Sequence, residues 1–444
     1  MDMSQRALPP YLFSPRGGSN EWLHHPRVIA AWRRGAQAEV PPLTVEFACV
    51  LACDAMCPTC PYNRSRSRLG DGARAADGAP SDDRHAASWK TTQQILEAAH
   101  DAGATGILFT GGGEPLIWEH LPAAMALAAK LRMSTSLYTN GLRLGLDTSL
   151  ASILWDPEHA VSFIRVSVNA VSPSVVRRHW GRGFDVEQQL HGLRLLVQAR
   201  DRWAQTYQRM DQPLPSIQIS TIVDRHNVGD LPQLLRVIAE IFDANSRCRG
   251  TEDAMIVRPL VIHGRMQGYQ PDDHSEAVIT SIVEVARPGG CGHGVLGDAG
   301  MPLFLGFGLS HVNDGAAGTY GAVIEEEYAW RTRNPVNLAN GIFLTVGPSG
   351  DVYPSTEHNC DGAWAIGSLL EHSVADIYKS RRRAAMLDQL NRQAWQASVA
   401  QPFARTNRLA RIAASIAGGS IDDPMLDALR RRDTAAGRRG ILLD

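Results

Sequence analysis

Cys53, Cys57 and Cys60 stand in the stretch Cys53-Asp54-Ala55-Met56-Cys57-Pro58-Thr59-Cys60, directly after the apolar run Leu43 to Cys49. Three of the chain's seven cysteines thus share one short loop that follows a strand. Three thiolates so placed can hold three irons of a [4Fe–4S] cube and leave the fourth iron without a protein ligand, and that open iron is where chemistry would take place. A zinc site would want a fourth protein ligand and a structural cluster a fourth cysteine, and neither follows at a usual spacing. A three-ligand zinc site and a chance grouping of thiols stay open on this evidence.

Other chemistry-bearing residues fall at the ends of later apolar runs. Thr110-Gly111-Gly112-Gly113-Glu114-Pro115 joins three glycines, which let the backbone turn sharply and approach a ligand closely, to a carboxylate suited to a ligand ammonium. By itself a glycine run is equally a tight strand-to-helix turn. Tyr138-Thr139-Asn140-Gly141 and Arg165-Val166-Ser167-Val168-Asn169-Ala170 each set small polar side chains at a run's end, where turn formers are also common.

The elements that must position these residues alternate. Strands are expected over Leu43 to Cys49, Thr105 to Thr110, Ser134 to Thr139, Val161 to Val168, Ser216 to Val223 and Ala254 to Val261. Between them, helices are expected over Thr91 to Asp101, Trp118 to Leu131, Leu146 to Trp155, Val186 to Arg200 and Asp230 to Phe242. Short apolar strands alternating with amphipathic helices imply an α/β fold with a parallel sheet, here a partial (β/α)6 TIM-like barrel. In such barrels chemistry sits on loops after the C-terminal strand ends, where the cysteines fall.

Taken together and in this order, CxxxCxxC after the first strand, Gly-Gly-Glu-Pro after the second, Thr-Asn-Gly after the third and Arg-Val-Ser-Val-Asn in the fourth resemble the radical S-adenosylmethionine (radical SAM) superfamily. The resemblance covers roughly Leu43 to Ile262. It implies that Cys53, Cys57 and Cys60 bind three irons of one [4Fe–4S] cluster and that SAM chelates the fourth. It further implies that Gly112, Gly113 and Glu114 meet the methionyl amino group, and that Asn140 lines the cofactor. Ser167 and Asn169 would face the ribose or methionyl carboxylate, and Ile222 would pack on adenine. Two departures stand out. The fifth strand, Ser220-Thr221-Ile222-Val223-Asp224-Arg225-His226-Asn227, occupies the place of the family's GxIxGxxE segment but keeps only the isoleucine. The aromatic usual before the third cysteine is Thr59, with Tyr62 as the substitute for its packing.

The chain has 444 residues, 44% of them hydrophobic, and a net charge of −2. That is enough for a large core and gives no global field toward nucleic acid or a membrane. Neither a signal-peptide core nor an 18-residue apolar run is seen, so the expectation is a cytoplasmic protein with thiols kept for metal ligation. Residues 1–42 read as an N-terminal arm with a short helix around Arg27 to Arg34, and residues 43–262 as the barrel, with 63–88 a mobile loop beside the cluster.

Residues 263–383 read as a C-terminal α+β cap. It includes a helix over Glu276 to Ala286, a glycine-rich loop with Cys291 and His293, the run Glu325 to Glu327, and a hairpin over Gly341 to Ser355 turned at Pro-Ser-Gly-Asp. With Ile366 to Leu369 and a helix over Val374 to Arg383, this resembles the SPASM or twitch extension of radical SAM enzymes. Ser355 stands where that extension normally has a cysteine, and only Cys360 is near, which implies one cluster per chain. Residues 384–444 form an Arg-rich helical tail including Arg405, Arg408, Arg411 and Arg430 to Arg432, either a solvated face or a grip for a phosphate or acidic partner.

The expectation is an enzyme that cleaves SAM reductively and takes hydrogen from a small polar metabolite (a sugar, nucleoside, aminoglycoside or amino-acid derivative) in a redox-neutral epimerisation, elimination or rearrangement. The resemblance brings with it an external electron donor such as flavodoxin or ferredoxin. Cys360, then Cys291, are candidate catalytic thiols able to give a hydrogen atom. A peptide-modifying enzyme is the second reading, and a structural metal module a remote third.

Overall fold

The computed structural model describes residues 25–36, 39–58, 60, 62, 86–181, 183–211, 214–246, 253–259, 294–296, 301–305, 343–354, 359–393 and 413–435. After helix α1 (Pro26–Arg33), strands β1 (Thr44–Ala48), β2 (Gly106–Thr110), β3 (Ser134–Thr139), β4 (Val161–Ser167), β5 (Ser216–Val223) and β6 (Ala254–Pro259) lie side by side in chain order. Every neighbouring pair is parallel. Parallel neighbours need crossovers, and helices supply them. Helix α2 (Trp89–Asp101) leads into β2, and α3 (Leu121–Lys130) into β3. Helices α4 (Leu142–Leu146) and α5 (Leu150–Leu154) lead into β4, α6 (Pro173–Trp180) and α7 (Val186–Arg209) into β5, and α8 (Leu231–Asn245) into β6.

The sheet is wider than six strands and does not close. Beyond β6 lie β7 (Gly294–Leu296) and β8 (Met301–Leu305), with β8 parallel to β6. On the other side β9 (Phe343–Val346) pairs parallel with β1, from Thr44↔Phe343 to Phe47↔Val346. The expected hairpin is present: β9 turns through Gly350, at φ +83°, into antiparallel β10 (Asp351–Tyr353), which pairs with β11 (Gly367–Ser368). Both flanks of the six-stranded core would otherwise expose unpaired backbone groups, and strands from the C-terminal third cover them. Helices α9 (Val374–Lys379), α10 (Arg381–Gln393) and α11 (Asp423–Ala435) follow.

Strand alternation separates two faces. Val45, Phe47, Ile107, Phe109, Leu137, Ile164, Val166, Ile217 and Ile219 join the main apolar core beneath the helices. The alternate positions point the other way and are largely polar: Glu46, Ser136, Arg165, Gln218, Ser220 and Thr345 are all buried. Among them Arg165 donates twice to Gln218 Oε1, at 3.1 and 2.8 Å, and stacks 4.5 Å over the Tyr138 ring.

Several element boundaries differ from expectation for local reasons. The helix expected over Leu146 to Trp155 is two short helices, because Asp147 is extended and its side chain caps Ser149 N–H at 3.0 Å. The helix expected over Val374 to Arg383 breaks at Ser380, whose ψ is 144°. Helix α6 has no counterpart in the sequence reading, its eight residues starting at a Ser-Pro step. Helix α7 runs on to Arg209, beyond Arg200, started by Asp185 accepting from Glu187 and Gln188 N–H. The helix over Glu276 to Ala286 and the run Glu325 to Glu327 lie outside the described residues, as do Arg405, Arg408 and Arg411, residues 1–24 of the arm and 63–85 of the loop.

Helices α4 and α7 meet at two glycines. A Cβ on Gly192 would stand 2.6 Å from Gly145 N and 2.7 Å from Leu144 Cβ. Replacing glycine by alanine inside a helix normally adds up to about 1 kcal/mol of stability. Here the overpacking, on the order of 1–3 kcal/mol, reverses the sign. Gly192→Ala is expected to lower the urea midpoint; an unchanged or raised midpoint would show that this contact is not the constraint it looks.

Candidate active site

The loop after β1 carries the three cysteines, each half-buried. Cys53 and Cys57 pack against the main core. Backbone contacts hold the loop on several sides. Glu114 N–H donates to Ala52 O at 2.9 Å, Met56 N–H to Trp180 O at 2.8 Å, and Cys60 N–H to Cys57 O at 3.2 Å. Ala55 N–H points at Cys53 Sγ, 3.4 Å away, the kind of donor that steadies a thiolate. Among the described residues no three His, Cys, Asp or Glu side chains gather around one point as a single ion requires.

The glycines after β2 serve this loop. A Cβ on Gly113 would meet Ala52 O at 1.8 Å, and one on Gly112, which has φ +112°, would meet Leu51 and Val50. Gly111 lies under the Tyr62 ring, 2.9 Å from a Cβ placed there, so Tyr62 does pack beside the loop. Thr59 lies outside the described residues.

Glu114 is buried at the centre. Its Oε1 accepts from Leu116 N–H at 3.0 Å and Thr139 Oγ1 at 2.7 Å, and its Oε2 accepts from Asn140 N–H at 2.7 Å. Burial, then the nearby charge of Asp54, push its pKa up to about 8 against the opposing pull of those three donors. Asn140 continues the network, donating from Nδ2 to Asp54 Oδ1 at 2.7 Å, while Arg143 Nε stands 3.4 Å from Asp54 Oδ2. Gly141 adopts φ +78°, a left-handed turn that a residue with a Cβ would enter with strain, and starts α4. Asp54 thereby fastens the cysteine loop to the end of β3.

The ends of β3, β4 and β5 are joined in turn. Gln189 of α7 donates from Nε2 to Asn140 O at 2.5 Å and to Ser167 O at 2.8 Å. Asn169 Oδ1 accepts from Ile222 N–H at 2.9 Å. Ser167 and Ile222 are half-buried and, by strand alternation, face the same side as Arg165 and Gln218.

Cys360 lies in the left-handed region at φ +62°, half-buried, with Sγ 3.2 Å from Asn359 Oδ1. It is near enough to Cys49, directly after β1, and to Tyr353 of β10 for its charge to bear on both. Burial, first among the causes, pushes the Cys49 thiol well above its ordinary value. Cys291, His293 and Ser355 lie outside the described residues. Glu114, Asn140, Ser167, Asn169 and Ile222 thus gather at one end of the sheet with the three cysteines. Asp54, Arg143 and Gln189, which hold them there, are absent from the sequence reading. The one signal for Gln189 was a polar residue on the buried face of a helix.

Residues 49–207 match the family described as Radical SAM superfamily. No curated protein sequence matches. Among solved structures, SuiB of Streptococcus suis bound to precursor peptide SuiA is similar at 14% identity and TM-score 0.52, over 83% of this chain and 70% of that one. SuiB bound to S-adenosylmethionine is similar at 13% identity and TM-score 0.49, over 78% and 68%. Native anSMEcpe with bound AdoMet is similar at 12% identity and TM-score 0.47, over 89% and 100%. The peptide-bound likeness carries the fold, the open partial barrel of this superfamily, whose members use a [4Fe–4S] cluster and S-adenosylmethionine. Cysteines, glycine turn and carboxylate all fall within the matched span, and residues 49–207 are a radical SAM domain.

Proposed function

We propose that this chain is a radical SAM enzyme acting on a small polar metabolite, such as a sugar, nucleoside, aminoglycoside or amino-acid derivative, in a redox-neutral epimerisation, elimination or rearrangement. The observation that carries this reading is the inner face of the sheet, where Glu46, Ser136, Arg165, Gln218, Ser220 and Thr345 line the side away from the helices. A wall built from hydrogen-bonding groups suits a substrate rich in hydroxyl, amino or carboxylate groups better than an apolar one. When bound, the cluster and SAM supply a low-potential electron and the 5′-deoxyadenosyl radical that takes hydrogen from an unactivated carbon.

The chain's residues take these parts. Cys53, Cys57 and Cys60 hold the cluster. Gly112, Gly113 and Glu114 meet the methionyl amino group, Asn140, Ser167 and Asn169 the polar atoms of SAM, and Ile222 the adenine. The hairpin and its sequel, with Ser355 in place of a cysteine, favour one cluster and hence no oxidation through a second. If the outcome is inversion, Cys360 gives a hydrogen atom to the substrate carbon from the face opposite abstraction. The resulting thiyl then takes one electron and one proton, the electron from a donor such as flavodoxin or ferredoxin. Cys360 ranks before Cys291 because it follows the hairpin of the C-terminal cap. The SuiB structure holds a precursor peptide, and that fold-level likeness favours a peptide substrate as the second reading.

Three outcomes follow. Cys57→Ala is expected to lose iron on reconstitution while Cys360→Ala keeps it; equal iron in both would remove the triad from cluster binding. Turnover in deuterated water is expected to put one solvent deuterium into an inverted product, lost in Cys360→Ala although 5′-deoxyadenosine still forms. Product without solvent hydrogen would leave elimination or rearrangement, and modification of a peptide but no small metabolite would favour the second reading.

Glu114 makes the third. The folded protein keeps its proton up to about pH 8, against an ordinary 4.5, so the native state binds more protons than the unfolded chain between these values. Stability of the cluster-free protein is expected to fall as pH rises through that window, and Glu114→Gln to flatten the slope. The same variant should weaken SAM binding by about one to two powers of ten, as loss of a sheltered charge-assisted bond would. An unchanged pH slope in the variant, or unchanged SAM affinity with iron intact, contradicts the role given to this residue.

A further inference from the structure

The fifth strand lacks the glycines of the family's segment, and the turn after it is built from side chains instead. Asp224 Oδ1 accepts from His226 N–H at 2.7 Å and Asn227 N–H at 3.1 Å, and Asn227 Oδ1 accepts from Asp224 N–H at 2.8 Å. Asn227 Nδ2 then donates to Ile222 O at 2.7 Å and to Asn169 O at 2.8 Å. With Asn169 Oδ1 accepting from Ile222 N–H, these bonds close a circuit between the ends of β4 and β5. A second tie lies close by, where Asp230 Oδ2 accepts from Val171 N–H at 2.6 Å and Ser172 N–H at 3.0 Å.

Asp224 is fully buried, and a buried carboxylate needs a compensating partner. His179, near the end of α6 and itself 4% exposed, places Nε2 3.4 Å from Asp224 Oδ1, long for a hydrogen bond and within reach of an ion pair. Neither Asp224 Oδ2 nor His179 Nε2 has a hydrogen-bond partner among the described residues, and His179 is the ring that stands beside the buried carboxylate. Burial alone would raise the Asp224 pKa; His179 and the two N–H groups hold it below the usual carboxylate range. The next two residues reach elsewhere: Trp180 O accepts Met56 N–H from the cysteine loop, and Gly181, at φ +92°, has no room for a Cβ, which would stand 2.9 Å from Met56 Cβ.

We infer that His179 and Asp224 are positioning residues for the nucleoside half of SAM: the buried pair fixes the turn that carries Ile222 and Asn169, and the adjoining Trp180 bond ties that wall to the cysteine loop. This rests on the reading that Ile222 and Asn169 meet the nucleoside. The pair stands in for glycine. Where a glycine turn would follow its backbone freedom, this turn is set by a buried carboxylate faced by a side chain of a neighbouring helix, and neutralising that carboxylate leaves the acceptor geometry in place but unanchored.

The test uses reconstituted enzyme with Asp224→Asn and His179→Gln, singly and together. Asparagine keeps the Oδ1 acceptor without its charge, and glutamine keeps a donor without imidazole. Iron per chain, thermal midpoint and equilibrium binding of SAM, 5′-deoxyadenosine and methionine are measured. The inference expects iron retained and methionine binding little changed. SAM and 5′-deoxyadenosine should each bind about tenfold more weakly in both single variants, with the double no worse than either. Unchanged binding of 5′-deoxyadenosine in the iron-loaded variants overturns it. So does equal weakening of all three ligands with loss of iron, which marks a merely structural pair. Should wild type itself take up iron yet bind neither SAM nor 5′-deoxyadenosine, the underlying reading of the site fails and the inference with it.

Discussion

The buried carboxylate of Glu114 is the point through which the loops after β1, β2 and β3 are held in register. It sits on the β2 loop, its own N–H bonds Ala52 in the cysteine loop, and its oxygens collect Thr139 and Asn140 from the end of β3. Burying a carboxyl group costs several kcal/mol unless it is bonded, and three donors offset burial and the neighbouring Asp54 charge only in part, which is why its proton is held to about pH 8. A ligand ammonium arriving there would complete the compensation. The site is therefore assembled around a buried carboxyl group, with Asp54, Asn140 and Arg143 bracing the cysteine loop beside it.

The sheet separates what must be dry from what must recognise. One face gives its valines, isoleucines and phenylalanines to the helices, and this supplies most of the driving force for folding. The opposite face spends buried positions on Glu46, Arg165 and Gln218, side chains that cost stability unless they are paired. A protein selected for stability alone would fill that space with leucine. The glycines at 112 and 113 are the trace of a loop pressed close against β2.

Much of this was legible because it is local. Cysteine spacing, strand alternation and the run Gly-Gly-Glu-Pro lie within a few residues of each other, and the order of β1 to β6 follows from parallel pairing with helical crossovers. What escaped depends on partners far away in the chain. Asp54 bonds a residue 86 positions on, and Gln189 reaches back 49 to Asn140. Neither side chain has a spacing that would announce it. The glycines were expected to admit a ligand and are required at least as much by Ala52 and Leu51. The hairpin was visible from its Pro-Ser-Gly-Asp turn, but nothing in its residues says that β9 would join β1 from the other side.

The central claim is that three thiolates on the β1 loop leave one iron open to SAM at the mouth of this sheet. Anaerobic reconstitution, followed by dithionite reduction in the presence of SAM, tests it directly when iron and 5′-deoxyadenosine are measured on the same sample. The account predicts about four irons per chain and formation of 5′-deoxyadenosine with methionine. About one zinc in place of iron, or four irons with SAM left intact, would contradict it.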